Sequence, residues 1–194
     1  MLLPSFTTDR NLLFKFLCLV TLIVLALSLS SCANNDWQTA SREPAGIAPD
    51  PEKVKDAVIE FYAADAFSWR GWFAMHTWVA IKRKNAEEYK VYEVVGWRVD
   101  RGLPALREYT TKYPDRYWYG AKPEKFVSII GKDAEILLPQ IEKYAAEYPW
   151  ANEYTLVPGP NSNTFPAWLG LKIPALAVDM PFSAIGSGYA DSEE

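Results

Sequence analysis

Two strand-like runs decide the fold: FAMHTWVAIKR at residues 73–83 and YKVYEVVGWRV at residues 89–99. Both are rich in aromatic and β-branched residues, which pack well on a pleated surface and are enriched in strands. Residues 84–88 (KNAEE), which separate the two runs, are short and mostly polar. A connection of that kind is typical of a hairpin. The sequence therefore predicts that the two runs pair as neighbouring antiparallel strands.

The register of this hairpin determines which side chains meet. If the turn is centred between Asn85 and Ala86, then His76 and Glu93 share one face of the sheet and lie diagonally across the strands. Their Cβ atoms would then be ~7 Å apart, near enough for the carboxylate to orient the imidazole. A shift of the turn centre by half a residue would move Glu93 to the opposite face, where it would contact solvent.

Helices are predicted after these strands. Apolar residues recur at helical spacing in 131–148, and Pro149 ends the pattern, while Pro139 predicts either a later start or a kink. Strands followed by helices indicate an α+β fold, an antiparallel sheet packed with helices. Three shorter segments complete the prediction: a helical turn and then a strand in 51–64, a short strand in 154–157, and a short helix in 167–171.

Composition limits the classes of function. The chain has 194 residues, 14% of them aromatic, which is too much aromatic content for a disordered protein. Its formal net charge of −4 argues against a nucleic-acid partner, because such proteins normally carry a basic excess. The tryptophans and tyrosines are expected to fill the core, although exposed aromatic rings can also stack on sugars.

The first residues predict an export signal. Arg10 and Lys15 precede an apolar run at 16–29, which is short for a bilayer-spanning helix and suits a signal peptide. The run ends in LSSC, with Cys32 last, which resembles the lipobox of bacterial lipoproteins. The resemblance implies that diacylglycerol is joined to Cys32 and that the chain is cleaved just before it. A plain secretory signal or an uncleaved anchor is the alternative. Ala33 follows Cys32 at the position where an Asp would resemble an inner-membrane retention signal. The outer membrane, facing the periplasm, is therefore favoured if the cell has one.

Four regions follow from this division: a signal peptide at 1–31, a flexible tether at 32–50, one globular domain at 51–185 and a loose acidic tail at 186–194. A chain that begins at Cys32 has no free thiol and contains a single histidine. Thiolate catalysis and a zinc site of the usual Cys and His ligands are therefore excluded. No cofactor is predicted.

The candidate chemistry joins a histidine and a constrained turn. His76 is the one side chain whose ordinary pKa lies near neutral, so it is the natural general base. Ser162 lies in the uncharged cluster 161–164 (NSNT), framed by prolines and just before a predicted helix. Backbone N–H groups there can stabilise an oxyanion, and Asn161 or Asn163 can add a side-chain donor. Alternatively, His76 is simply buried and the turn only caps the helix.

Two motifs carry a family resemblance. WRGWFAMHTW at 69–78 and PGPNSNTF at 158–165 resemble a bacterial envelope family catalogued as a domain of unknown function, and YEVVGW at 92–97 and YWYG at 117–120 add to it. The likeness covers about residues 61–185 and implies no mechanism. The same motifs are distantly similar to circularly permuted papain-like proteins, in which a strand histidine precedes a cysteine at a helix start, often after asparagine.

That distant resemblance implies specific roles. Ser162 stands where the resemblance places the cysteine, which implies either a serine enzyme or a domain that kept a papain-like fold and lost the reaction. In the first case Ser162 is the nucleophile, His76 the base and Glu93 the orienting carboxylate. The expected function is then a lipid-anchored envelope protein acting as a serine-dependent hydrolase or acyltransferase on cell-wall peptide or lipid. The alternative is a non-catalytic binding or structural lipoprotein that contacts glycan or a partner protein.

Overall fold

The structure, a computed structural model, describes residues 14–16, 18–21 and 36–193. The chain divides into two compact units, Met1–Ala40 and Ser41–Glu194. Most of the predicted signal peptide, and Cys32 with it, lies outside the described residues. Within the described ranges, none of the helices has the length and apolar character needed to cross a bilayer.

The second unit is built on a five-stranded sheet, in which every neighbouring pair is antiparallel. The order across the sheet is β4-β3-β2-β1-β5, so β4 and β5 form its edges. With two α-helices packed against it, the fold is α+β, as the sequence predicted. The strands are β1 (Val58–Asp65), β2 (Met75–Lys82), β3 (Tyr89–Val94), β4 (Leu106–Thr111) and β5 (Glu124–Ile130).

Of the two registers that the sequence left open for the β2–β3 hairpin, the structure has the one that places His76 and Glu93 on the same face. Ala80 pairs with Val91 and Trp78 with Glu93, which centres the turn between residues 85 and 86. The prediction that the second strand reaches Val99 is wrong, because β3 ends at Val94 and residues 96–101 form a 3-10 helix. Trp97, in that helix, stacks on Trp118 instead of extending the ladder.

Both α-helices lie where the sequence predicted helices, but their bounds differ from the predicted ones. α1 (Lys132–Ala146) begins near the predicted residue and contains Pro139 in its interior, so it does not start later at the proline. α2 (Thr164–Lys172) is longer than predicted. The strand expected at 154–157 is absent from the described chain; there the Thr155 N–H donates to the Pro160 carbonyl across a loop.

Each face of the sheet has its own buried cluster. One face packs against α1 and α2, with Phe61, Val79 and Trp168 at its centre. The other holds Tyr62 and Trp78 and is covered by shorter segments. Ordered segments lie on both sides of the expected domain at 51–185: residues 45–48, expected to be tether, hydrogen-bond to Asp115, and Ser187–Glu193, expected to be a loose tail, form a 3-10 helix.

Candidate active site

The site begins with a buried imidazole on β2. His76 lies at the second position of the strand and is 6% exposed. Its Nε2 lies 2.9 Å from Glu93 Oε1, the partner that the hairpin register predicted. The ring is stacked on Trp118, with centroids 3.6 Å apart and planes 7° from parallel. One nitrogen and one face of the imidazole are therefore fixed by the protein.

Glu93 is held in its charged form. Burial alone would raise its pKa, but the His76 hydrogen bond and the guanidinium groups of Arg107 and Arg116 outweigh that effect and lower the pKa to about 2. Arg107 Nε lies 2.8 Å from Glu93 Oε2 and Arg116 Nη2 lies 3.3 Å from the same oxygen. An ionised carboxylate only accepts hydrogen bonds. The His76 Nε2 must therefore carry the proton, which leaves Nδ1 with the lone pair.

The imidazole itself is kept neutral. Burial lowers the pKa of His76 below its ordinary value of 6.5, although Glu93 acts in the opposite direction. Arg107 and Arg116 also lower the pKa of His76, since they repel a second positive charge. A neutral histidine of fixed tautomer has the form that a general base needs at neutral pH.

The Asn-Ser-Asn-Thr turn is fastened to β2 on both sides of His76. The β2–β3 pairing ends at Trp78, so Met75 finds its partners elsewhere. Its N–H donates to the Ser183 carbonyl (3.1 Å), and its carbonyl accepts from Asn163 Nδ2 (3.0 Å). Thr77 Oγ1 lies 2.9 Å from the Ser162 carbonyl oxygen. The fold thus joins the two distant sequence motifs through Met75 and Thr77, whereas the His76 side chain points to the opposite face of the sheet from Thr77 and stacks there on Trp118.

Three polar groups in this contact region are left without a protein partner. Within residues 36–193, neither Ser162 Oγ nor His76 Nδ1 makes a hydrogen bond, and the two are not bonded to each other. Among the described residues, the one side-chain N or O atom that is both buried from solvent and unpartnered is Tyr148 Oη, so Ser162 Oγ and His76 Nδ1 both touch solvent. The backbone N–H of Ser162 also has no acceptor there. A hydroxyl, a basic nitrogen and an N–H donor of these two residues therefore have no protein partner.

The two asparagines have a different task in this structure. Asn161 Nδ2 donates to the carbonyls of Leu156 and Ile185, and Asn163 Nδ2 donates to those of Met75 and Ile185. An amide nitrogen has two hydrogens, so both donors are used. The asparagines hold the turn in place, and either would have to give up one of these bonds to reach an oxyanion.

Sequence reasoning missed the arginines and the stacking ring. Arg107 is the cross-strand partner of Glu93 on β4, a strand that was not predicted. Arg116 and Trp118 lie in the segment between β4 and β5. Of the aromatics expected in the core, Trp118 is buried, but Trp97, stacked on it at 5.9 Å, is 41% exposed. The basic and aromatic residues of 107–118 were the available signal, since a buried glutamate requires cationic partners.

No metal site accompanies these groups in the described part of the chain, where no cluster of three His, Cys, Asp or Glu residues is arranged to hold an ion. Comparison with curated proteins and with solved structures found no match. The model of one family does match, over residues 56–189, which include both His76 and Ser162. The chain therefore belongs to the family described as protein of unknown function DUF3750.

Proposed function

We propose that this protein is a serine-dependent acyl-transfer enzyme of the bacterial cell envelope, with a papain-like arrangement of nucleophile and base. One observation carries the proposal: the turn that bears Ser162 is bonded to Met75 and Thr77, the two neighbours of His76 on β2, and neither Ser162 Oγ nor His76 Nδ1 has a protein partner. Papain-like proteins combine a strand histidine with a nucleophile at a helix start, and here the helix α2 begins two residues after Ser162.

The residues suggest a definite sequence of proton movements. His76 Nδ1 accepts the proton of Ser162 Oγ as the oxygen attacks a substrate carbonyl carbon. The negative charge that develops on the carbonyl oxygen is stabilised by the free N–H of Ser162. The imidazolium then returns the proton to the departing amine or alcohol, leaving an acyl-serine ester. Water hydrolyses the ester, or a second alcohol or amine accepts the acyl group. Because Thr77, which holds the Ser162 turn, and His76 point to opposite faces of the sheet, this transfer requires Ser162 Oγ to reach the imidazole around the edge of β2 at residues 75–77, where β3 does not pair.

The second part of the proposal concerns location. The apolar run at 16–29 and the lipobox-like end at Cys32 support attachment through an N-terminal lipid, at the outer membrane where the cell has one. A protein anchored in this way meets peptidoglycan peptides and membrane lipids. Amides or esters in those two classes are therefore the proposed substrates.

A fluorophosphonate probe tests the mechanism without knowledge of the substrate. We expect the full-length chain to be phosphonylated at Ser162, as read by peptide mass spectrometry. Ser162→Ala should abolish the label, and His76→Ala should slow it by about 10²-fold or more, the usual contribution of a general base. Ser183→Ala is the matched control and should label normally, because only the backbone of Ser183 contacts Met75. An unlabelled parent, or undiminished labelling of Ser162 in His76→Ala, would refute the proposal.

Exposed aromatic residues favour a second candidate, the non-catalytic glycan-binding lipoprotein. The Trp97 ring is exposed on one side and stacks on Trp118 on the other, and exposed rings of this kind stack on sugars. In this case the chain co-sediments with purified peptidoglycan, Trp97→Ala releases it, and Ser162→Ala has no effect. Tyr113→Ala is the control, as Tyr113 is another exposed ring outside this stack.

A further inference from the structure

One end of the sheet is covered with exposed aromatic side chains, which we call the aromatic end. It comprises the β1–β2 connection (residues 66–74), the β3–β4 connection (residues 95–105) and the segment 182–185 beside the start of β2. Two connections of an antiparallel sheet that are separated by one hairpin lie at the same end. The exposed rings are those of Trp69, Trp72, Phe73, Trp97 and Phe182.

Contacts tie these three segments together. Trp69 packs against Phe73 with ring centroids 5.6 Å apart. The Met75 N–H bonds to the Ser183 carbonyl, which places Phe182 beside the end of the first connection. Tyr119 lies 5.2 Å from Phe67 and 6.0 Å from Trp97, so it bridges the first connection to the second. Trp72 is 81% exposed and Phe182 is fully exposed, far more than soluble domains usually leave large apolar side chains.

The charge of the aromatic end differs from that of the whole chain. Its two strand connections contain Arg70, Arg98 and Arg101, whereas the chain carries a net charge of −4. Asp100 is the single acidic residue among residues 66–74 and 95–105. Aromatic rings accompanied by arginines suit the headgroup region of a bilayer that contains anionic lipid. A binding site for sugar would need the rings but not the basic excess.

The N-terminal segment joins the domain near this end. The Gly120 N–H donates to the Ser41 carbonyl, and the Arg42 guanidinium lies 4.2 Å from the ring centroid of Tyr119. Eight residues lie between Cys32 and Ser41, and the nine Cα–Cα steps that join them span at most ~30 Å. A lipid attached at Cys32 would thus hold the Tyr119 side of the domain near the membrane.

We propose that the aromatic end docks on the surface of the phospholipid bilayer, with its rings among the headgroups and its arginines on anionic lipid. The inference rests on the membrane attachment in the proposed function but on no catalytic step. Met75, which contacts the Asn163 side chain, begins β2 at this same end. Docking would therefore turn the start of β2, where the Ser162 turn is bonded, toward lipid.

Tryptophan quenching by lipid tests the proposal. The full-length chain, with Trp37 replaced by Phe to silence the N-terminal reporter, is bound to phosphatidylethanolamine–phosphatidylglycerol vesicles brominated near the headgroup end of the acyl chains. We expect quenching of the exposed tryptophans. The double variant Phe73→Ser/Phe182→Ser keeps all the tryptophans that report the quenching. It should nevertheless lose most of this quenching, since both phenylalanine rings are exposed and their loss leaves the core intact.

The control is Ile136→Ser/Leu171→Ser, which removes two exposed apolar side chains on α1 and α2 and should leave quenching unchanged. Absence of quenching in the parent would overturn docking, and so would equal quenching in both double variants. Binding to purified peptidoglycan through Phe73 and Phe182 without lipid quenching would assign the aromatic end to glycan instead. Fluorophosphonate labelling is scored separately, so docking and catalysis can fail independently.

Discussion

Two glutamates are buried on the same face of the sheet, and they have different partners. Glu60 on β1 contacts Lys125 (2.9 Å) and Ser128 (3.3 Å) and accepts a hydrogen bond from the Tyr62 hydroxyl. Glu93 on β3 contacts Arg107, Arg116 and His76. Both carboxylates satisfy the requirement that a buried charge be paired.

The two clusters differ in whether the residue bound to the carboxylate can still accept a proton: Tyr62 in one, His76 in the other. The Tyr62 hydroxyl is itself bonded to Glu60, and burial raises the pKa of Tyr62 far above the physiological range. The Glu60 cluster therefore contains no group that could act as a base at physiological pH. In the Glu93 cluster, His76 binds the carboxylate through Nε2, and its other ring nitrogen, Nδ1, has no partner and touches solvent. A buried ion pair alone does not indicate a functional site, whereas one that fixes an accessible base does.

The largest expected effect concerns the labelling rate of Ser162. Glu93→Gln removes the charge that fixes the His76 tautomer, so phosphonylation should slow by about 10²-fold or more. Glu60→Gln should leave the rate per folded molecule unchanged. Rates are measured by fluorophosphonate labelling of equal amounts of protein with native circular dichroism. Equal rates in the two variants would show that the two clusters do not differ in function.

The next effect concerns folding stability. Glu93→Ala leaves Arg107 and Arg116 without their shared carboxylate and should cost about 3 kcal/mol of unfolding free energy. Their side chains are partly exposed, which keeps the cost at the lower end for a broken buried pair. Glu60→Ala should cost less, about 2 kcal/mol, because Lys125 can turn to solvent. Urea unfolding measures both, and a larger loss in Glu60→Ala would reverse the expected order.

The pH dependence of stability should also differ between the clusters. Because the folded-state pKa of His76 is lowered, the unfolded chain binds its proton first, and stability falls as pH drops below about 6.5. The lowered pKa of Glu93 adds a second loss as pH falls from about 4.5 toward 2. His76→Gln should flatten the first loss in urea midpoints measured from neutral to acidic pH. An unchanged slope would mean that His76 is not the titrating group.

The smallest effect separates the two arginines. Arg107 makes two hydrogen bonds to Glu93 Oε2 and Arg116 makes one, at 3.3 Å. Arg116→Lys should therefore change unfolding free energy by less than about 1 kcal/mol, whereas Arg107→Lys, which loses a two-point contact, should cost more. The comparison is made by urea unfolding in the same buffer. A costlier Arg116→Lys would show that the longer bond is the more important one.

The sequence predicted the centre of this structure better than its edges. β2 and β3 are interior to the sheet and are rich in β-branched and aromatic residues, so their pairing and register followed from composition and turn position. β4 (LREYTT) and β5 (EKFVSII) are edge strands with exposed, charged positions, so they lack the continuous apolar pattern of buried strands. Their existence depends on partners distant in sequence.

The same reason explains the site. His76 and Glu93 are close in sequence, and hairpin geometry alone joined them. Arg107 was missed because its position depends on β4, and Trp118 because it lies in the segment that follows β4. Contact between the turn at 161–164 and β2 spans more than 80 residues, and it was suggested by resemblance rather than by any local pattern.

Cysteine substitution tests most directly whether His76 acts on residue 162. In Ser162→Cys, in a Cys18→Ser background, a thiol replaces the hydroxyl that the proposed mechanism pairs with this imidazole. If His76 reaches it, iodoacetamide should alkylate position 162 rapidly down to mildly acidic pH, because a neighbouring histidine lowers a thiol pKa. His76→Ala should restore the profile of an ordinary thiol, with a pKa of about 8.5. The peptide-resolved alkylation rate is measured against pH. An ordinary profile already present with His76 intact would contradict the account.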